Sequence, residues 1–172
     1  MALRLNLGSS DDHKNGFINV DRAEPADVIW DLDTRWPWDD STADVIYAHD
    51  VFEHLGRRAT NEMGAWGKAW PMNEAHRVLK PGGILDLAVP CVCLKDGRVN
   101  PGAFADPTHV TFWTLDDRYY FGEEWNNPRG ERGRLGPAYG ITAVFRGEWR
   151  LEEYGQGPER RSKIFASLEA VK

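Results

Sequence analysis

The sequence predicts an α/β protein built on one mostly parallel sheet that ends in a C-terminal antiparallel hairpin. Three observations predict it. Short apolar runs recur through the first half of the chain, each stopped by Gly, Asp, His or Pro. A helical stretch is halted at Pro81-Gly82-Gly83 and runs straight into another apolar segment. Two alternating runs then close the chain across a loop that contains Gly and Pro. Strands alternating with helix or loop build a parallel sheet, and paired alternating runs build a hairpin.

Leu3–Leu7 alternates apolar and polar residues and stops at Gly8, so it reads as a first strand. Ser9–Gly16 is polar and ends in the turn pair Asn15-Gly16. Phe17–Val20 is a second strand ending at Asp21, and Asp27–Leu32 a third. Asp39-Asp40-Ser41 turns the chain into a fourth, Asp44–Ala48. Asp50–Leu55 is expected to open a helix. A longer helix should come next and close at Leu79, because the Pro-Gly-Gly stop lies just beyond. Ile84–Val89 is a fifth strand, ended by Pro90.

Lys95–Pro107 and Asn126–Gly140 read as loops. Between them Thr114 to Asp117 has the form of an acidic capping box opening a helix. Ala143–Leu151 and Ile164–Val171 are the final strands, joined through Gly155–Ser162.

A length of 172 residues suits one domain spanning 1–172. The net charge of −6 argues against a general grip on nucleic acid, which needs a basic face. From Arg118 onward 10 Lys+Arg face 8 Asp+Glu, a local +2, and the preceding residues carry the remaining −8. No apolar stretch approaches the ~20 residues of a membrane span. The N-terminus lacks the pattern of a secretory leader, so a cytoplasmic location is expected. Cys91 and Cys93 read as small strand-end hydrophobes rather than a redox or metal pair, and no metal site is expected.

In open α/β sheets ligands bind beyond the carboxyl ends of the strands. That rule selects Gly8–Ser10, Asp21, Asp31, His49 and Asp50, and Pro90 and Cys91. A glycine after a strand allows close backbone approach. A carboxylate ending the next strand can accept both ribose hydroxyls. Gly8 and Asp21 are only 13 positions apart, less than the ~20 of a dinucleotide fingerprint. A helix whose N-terminus would hold a pyrophosphate barely fits between them, which favours a nucleoside ligand without phosphates.

These segments resemble the class I S-adenosylmethionine-dependent methyltransferases, in a compact subgroup. The resemblance runs in order from Leu3 to Phe121. It is carried by Leu5-Asn6-Leu7-Gly8-Ser9-Ser10, Gly16-Phe17-Ile18-Asn19-Val20-Asp21, Asp31-Leu32, Trp36-Pro37-Trp38, Ala43 to Ala48 and Glu53-His54-Leu55. Glu74 to Gly83, with its Arg-Val-Leu-Lys-Pro-Gly-Gly run, and Asp106-Pro107-Thr108-His109 complete it. Two positions depart from the family pattern: Ser10 replaces the second glycine of the first loop, and Asn6 stands where many members have an acid.

The resemblance implies a Rossmann-like methyltransferase fold with S-adenosylmethionine as cofactor. It implies that Gly8, Ser9 and Ser10 line the methionine and ribose part, and that Asp21 binds the ribose. Asp31 would face the adenine amino group with Leu32 against the ring, and Ala48 and His49 would line the methionine end. Glu53 and His54 read as capping or packing residues.

Because S-adenosylmethionine carries an already activated methyl group, the protein mainly supplies position and electrostatics. An acceptor hydroxyl would need a base. His109 and His49 are the candidates, with Asp106 to orient an imidazole; the alternative for His109 is a loop-stabilising hydrogen bond. Trp36, Trp38, Trp66, Trp70, Trp113, Trp125, Tyr119 and Tyr120 divide between core packing and a substrate mouth. No Asp/Asn-Pro-Pro-Tyr segment occurs, which with the net acidity argues against DNA as substrate. The expected function is methyl transfer to a small-molecule or sugar-like acceptor. The other reading is a non-catalytic module that binds S-adenosylmethionine or a nucleoside as a regulator or partner subunit.

Overall fold

The computed structural model describes residues 2–57, 67–123 and 139–172. Seven strands run through them: β1 (Arg4–Leu7), β2 (Ile18–Asp21), β3 (Val28–Ile29), β4 (Ala43–His49), β5 (Leu79–Pro90), β6 (Phe145–Tyr154) and β7 (Arg161–Ala170). They form one sheet in the order β3-β2-β1-β4-β5-β7-β6. The first five are parallel, and β7 lies antiparallel between β5 and β6. This is the mostly parallel sheet with a terminal hairpin that the sequence predicts.

Alternation along the strands sorts residues between two faces. Leu5, Leu7, Val20, Ile46, Ala48, Leu85 and Leu87 are buried in the main core. Helix α1 (Ala69–Val78) supplies Met72, Ala75 and Val78 to the same core, and loops add Trp36, Phe52 and Trp113. The other face carries Asn6, Asn19, Tyr47, His49 and Asp86. Against it lies the first loop. Asn6 Nδ2 donates to Asp12 O at 2.7 Å and to Asn19 Oδ1 at 2.9 Å, and Lys14 Nζ sits 4.1 Å from the Tyr47 ring centre. The Asn6 amide thus ties the loop to two strands.

Several boundaries differ from expectation, each for a visible reason. Only Val28–Ile29 pairs in the third strand, because the chain turns at once: Thr34 N donates to Asp31 O at 2.9 Å. The helix expected at Asp50–Leu55 is a single 3-10 turn, Phe52–His54. It ends where Gly56 takes φ +94° and donates its N–H to Asp33 Oδ1 at 2.6 Å. Strand β5 already pairs at Leu79, and a bulge between Ala43 and Val45 absorbs Lys80–Gly83 before pairing resumes at Ile84. The final loop shortens because β6 and β7 pair out to Tyr154 and Arg161.

Thr114 N donates to Asp117 Oδ2 at 2.7 Å, as a capping box requires, but the box opens only one 3-10 turn and the four-residue α3 (Arg118–Phe121). A four-residue helix, α2 (Gly102–Ala105), interrupts the loop after β5. The start of the longer helix before Gly67 and the loop expected at Asn126–Gly140, apart from its last two residues, lie outside the described residues, as do Trp66 and Trp125. Trp36, Trp70 and Trp113 are fully buried and belong to the core. No described helix is long and apolar enough to cross a membrane.

Candidate active site

A cavity of about 300 Å³ opens at the carboxyl ends of β1 to β4. It is lined by Gly8 and Ser10 after β1, Asp21 and Arg22 after β2, Trp30 to Asp33 after β3, and Asp50 and Val51 after β4. His54, Leu55, Arg57 and Thr108 complete the wall. The strand order reverses between β1 and β4, which is where open α/β sheets bind ligands.

Local geometry explains why these residues hold their places. Gly8 has φ +62°, and a Cβ there would come 2.6 Å from Val51 Cγ2. The glycine therefore serves the close contact between the first loop and the segment after β4. Ser10 has φ +41° and donates its N–H to Asp21 Oδ2 at 2.9 Å. Arg22 N donates to Asp21 Oδ1 at 2.7 Å. Two backbone donors thus fix the carboxylate at the cavity edge, and each oxygen keeps acceptor capacity for a further donor.

The structure gathers Gly8, Ser10, Asp21, Asp31 and Leu32 around one cavity. Ser9 and Ala48 are buried and are not among its lining residues. Ser9 donates its N–H to Val20 O at 3.1 Å, and its hydroxyl has no partner among the described residues. His49 does not line the cavity. Its imidazole lies on the polar face of the sheet, 2.6 Å from the Tyr47 hydroxyl and 3.0 Å from Asp86 Oδ1, because the alternation of β4 turns His49 with Tyr47 and opposite to Ala48. Tyr119 lines a separate hollow with Arg118, Glu123 and Trp149.

The pairing expected between Asp106 and His109 is replaced by another arrangement. Asp106 Oδ1 accepts from Thr108 N at 2.7 Å and Thr108 Oγ at 2.6 Å. With its proton directed at Asp106, the Thr108 hydroxyl accepts from His54 Nδ1 at 3.0 Å. His109 Nδ1 donates to Ala103 O at 2.9 Å. His54 and His109 meet edge to face, 4.8 Å apart.

Glu53 stands beside them. It is 1% exposed, its Oε1 is 3.9 Å from His109 Nε2, and its Oε2 has no hydrogen-bond partner among the described residues. Burial pushes its carboxyl up to about 8. Burial, with His109 next in weight, holds His54 below the ordinary histidine value. The sequence marks Glu53 and His54 only as packing residues. Their convergence with His109 depends on loop 106–111 folding back, where Val110 N and Thr111 N both donate to Glu53 O at 2.8 and 3.0 Å.

Residues 20–87 match the family model for a methyltransferase domain. That match covers the part of the chain from the end of β2 to the middle of β5. The fold agrees across almost its whole length. A candidate methyltransferase from Bacillus halodurans superposes with a TM-score of 0.62 at 13% identity, covering 98% of this chain and 92% of that one. A SAM-dependent methyltransferase from Archaeoglobus fulgidus gives 0.57 at 11% identity, covering 97% and 86%. The N-methyltransferase NodS from Bradyrhizobium japonicum, in complex with S-adenosyl-L-homocysteine, gives 0.54 at 11% identity, covering 99% and 79%. No protein of curated function is significantly similar in sequence. The cavity lies where open α/β sheets place a ligand.

Proposed function

We propose that this methyltransferase-domain chain binds S-adenosylmethionine in the cavity at the β1–β4 switch and transfers its methyl group to a small-molecule or sugar-like acceptor. The observation that carries the reading is the Asp21 carboxylate, presented at the cavity edge beside Gly8 and Ser10. Asp21 takes the ribose hydroxyls. Asp31 faces the adenine amino group, and Leu32 packs on the ring. The Gly8–Ser10 loop tracks the methionine part of the cofactor, with Ser9 and Ala48 supporting it from below. A volume of about 300 Å³ is at the lower end of small-molecule pockets, so the acceptor reaches the methyl group from beyond the cofactor rather than sharing the cavity with it.

The methyl group leaves a sulfonium as soon as a nucleophile lies in line with it. Orientation alone is worth roughly 7–11 kcal/mol of barrier. The chain's part is to hold cofactor and acceptor in that line, and His54 brings an imidazole to the cavity wall beside Thr108.

The experiment is incubation with S-adenosylmethionine and a panel of hydroxylated metabolites. S-adenosylhomocysteine formation and a product one methyl group heavier are read by mass spectrometry. Turnover with at least one acceptor is expected. Tight cofactor binding with no turnover on any acceptor would favour the non-catalytic binding module instead.

A further inference from the structure

We infer that Glu53, His54 and His109 form a binding site for one divalent first-row transition metal ion at the wall of the cavity. The three side chains present one carboxylate oxygen and two imidazole nitrogens within 4.8 Å of one another. Ligand atoms on a shared ion with bonds of ~2.0–2.2 Å lie roughly 3 Å apart, so each atom needs to move inward by only about 1 Å or less.

The hydrogen bonds around the cluster select the metal-ligating form of both rings. His109 gives its Nδ1 proton to Ala103 O, and His54 gives its own to Thr108 Oγ. Each Nε2 is left as a lone pair. Metal-bound histidines almost always have such a partner on the second nitrogen, which fixes both tautomer and ring orientation. Asp106 extends the support by holding Thr108 in its acceptor role.

Independent support comes from Glu53. A carboxyl oxygen buried with no hydrogen-bond partner is costly. Glu53 Oε2 is in that position, in a side chain almost wholly removed from solvent. A cation held between the Glu53 carboxyl group and the two imidazoles supplies a partner to that group. The backbone supports are rigid: Thr111 Oγ donates to Phe52 O at 3.1 Å, beside the two amides bonded to Glu53 O.

Two imidazoles and one carboxylate suit zinc, iron or nickel rather than calcium or magnesium, which take all-oxygen sets. Three protein ligands leave coordination positions open. Of the three ligands His54 lines the cavity, which sets the ion at its wall. Given the methyl-transfer reading above, on which this consequence rests, the ion selects acceptors with a hydroxyl that it can orient and make more acidic.

The test titrates chelator-treated, dialysed full-length protein with zinc chloride by calorimetry, with no S-adenosylmethionine present. One zinc per chain is expected, and Glu53→Gln and His54→Ala should each weaken binding tenfold or more while circular dichroism shows them folded. Cys93→Ser should bind zinc like wild type. Cobalt substitution of the wild type gives a check that needs no variant: visible bands of nitrogen–oxygen ligation are expected, without intense near-ultraviolet thiolate bands. Absence of zinc uptake, thiolate bands, loss in Cys93→Ser, or wild-type affinity in both ligand variants each overturns the site. Titrating the zinc-free protein with S-adenosylmethionine is a separate measurement, so failure of the metal site and failure of the cofactor reading are told apart.

Discussion

Gly8→Ala is a perturbation whose size can be worked from the structure. The residue lies in the left-handed region at φ +62°, which for an L-residue costs roughly 1–2 kcal/mol. The new methyl group would sit 2.6 Å from Val51 Cγ2 and 2.7 Å from Val51 Cβ. Forcing a methyl into a packed contact of that kind costs typically about 1–3 kcal/mol. The two add to about 2–5 kcal/mol. At ~2–4 °C per kcal/mol for a chain of this size, the melting temperature falls by roughly 4–20 °C. Neither contribution involves a cofactor, so the loss should appear in the protein alone.

The assay is urea unfolding of wild type, Gly8→Ala, Val51→Gly and the double variant. Removing the whole Val51 side chain, Cβ included, should relieve the steric part and leave the dihedral part. The double variant should therefore be more stable than the sum of the two single losses predicts, by about 1–3 kcal/mol. A Gly8→Ala protein within about 0.5 kcal/mol of wild type, the range of an ordinary surface substitution, would show that neither strain nor the Val51 contact holds this loop.

The supporting framework gives three further expected outcomes. Glu74, wholly buried, accepts from Arg77 and from Trp36 N at 2.8 Å, so Glu74→Ala should cost about 3–5 kcal/mol in chemical unfolding by stranding the guanidinium. Asn73 Oδ1 accepts from Thr142 N and Ala143 N while its amide donates to Gly140 O. Asn73→Ala should therefore destabilise by at least about 1–3 kcal/mol and speed proteolysis after Tyr139. Asp44 is held below the usual carboxylate range, first by Lys80 and next by Leu3 N. Its stabilisation is fully present above the unfolded value near 3.8 and is lost as pH falls through the lower folded value. Asp44→Asn should flatten the acid limb of melting temperature against pH while acting as a constant offset at neutral pH.

The sheet was legible because each strand carries its own stop signal: Gly8, Asp21, the Pro81–Gly83 break and Pro90 all mark real boundaries or bulges. The terminal hairpin was legible from two alternating runs of similar length. The third strand is shorter than its apolar run, since Trp30 to Leu32 look like strand but turn away to line the cavity.

Asp21 and Gly8 stand out because the carboxyl-end rule points at single residues. The places of His49 and Asp106 do not, because a side chain's direction at a strand end depends on alternation, and a loop carboxylate bonds whatever folds next to it. For Asp106 that is its own neighbour, Thr108. The meeting of Glu53, His54 and His109 spans more than fifty positions and has no local pattern. An adjacent Glu-His pair on a short turn, with another histidine in a later loop, is the only trace it leaves in the sequence.

Cofactor binding at the β1–β4 switch stands or falls on calorimetric titration of S-adenosylmethionine into wild type and Asp21→Ala. Hydrogen bonds to a charged group contribute roughly 1.5–3 kcal/mol, so the variant should bind about 10–100-fold more weakly with its melting temperature in the absence of ligand nearly unchanged. Equal affinity in a folded Asp21→Ala protein, or no binding by wild type at all, would contradict the proposed site.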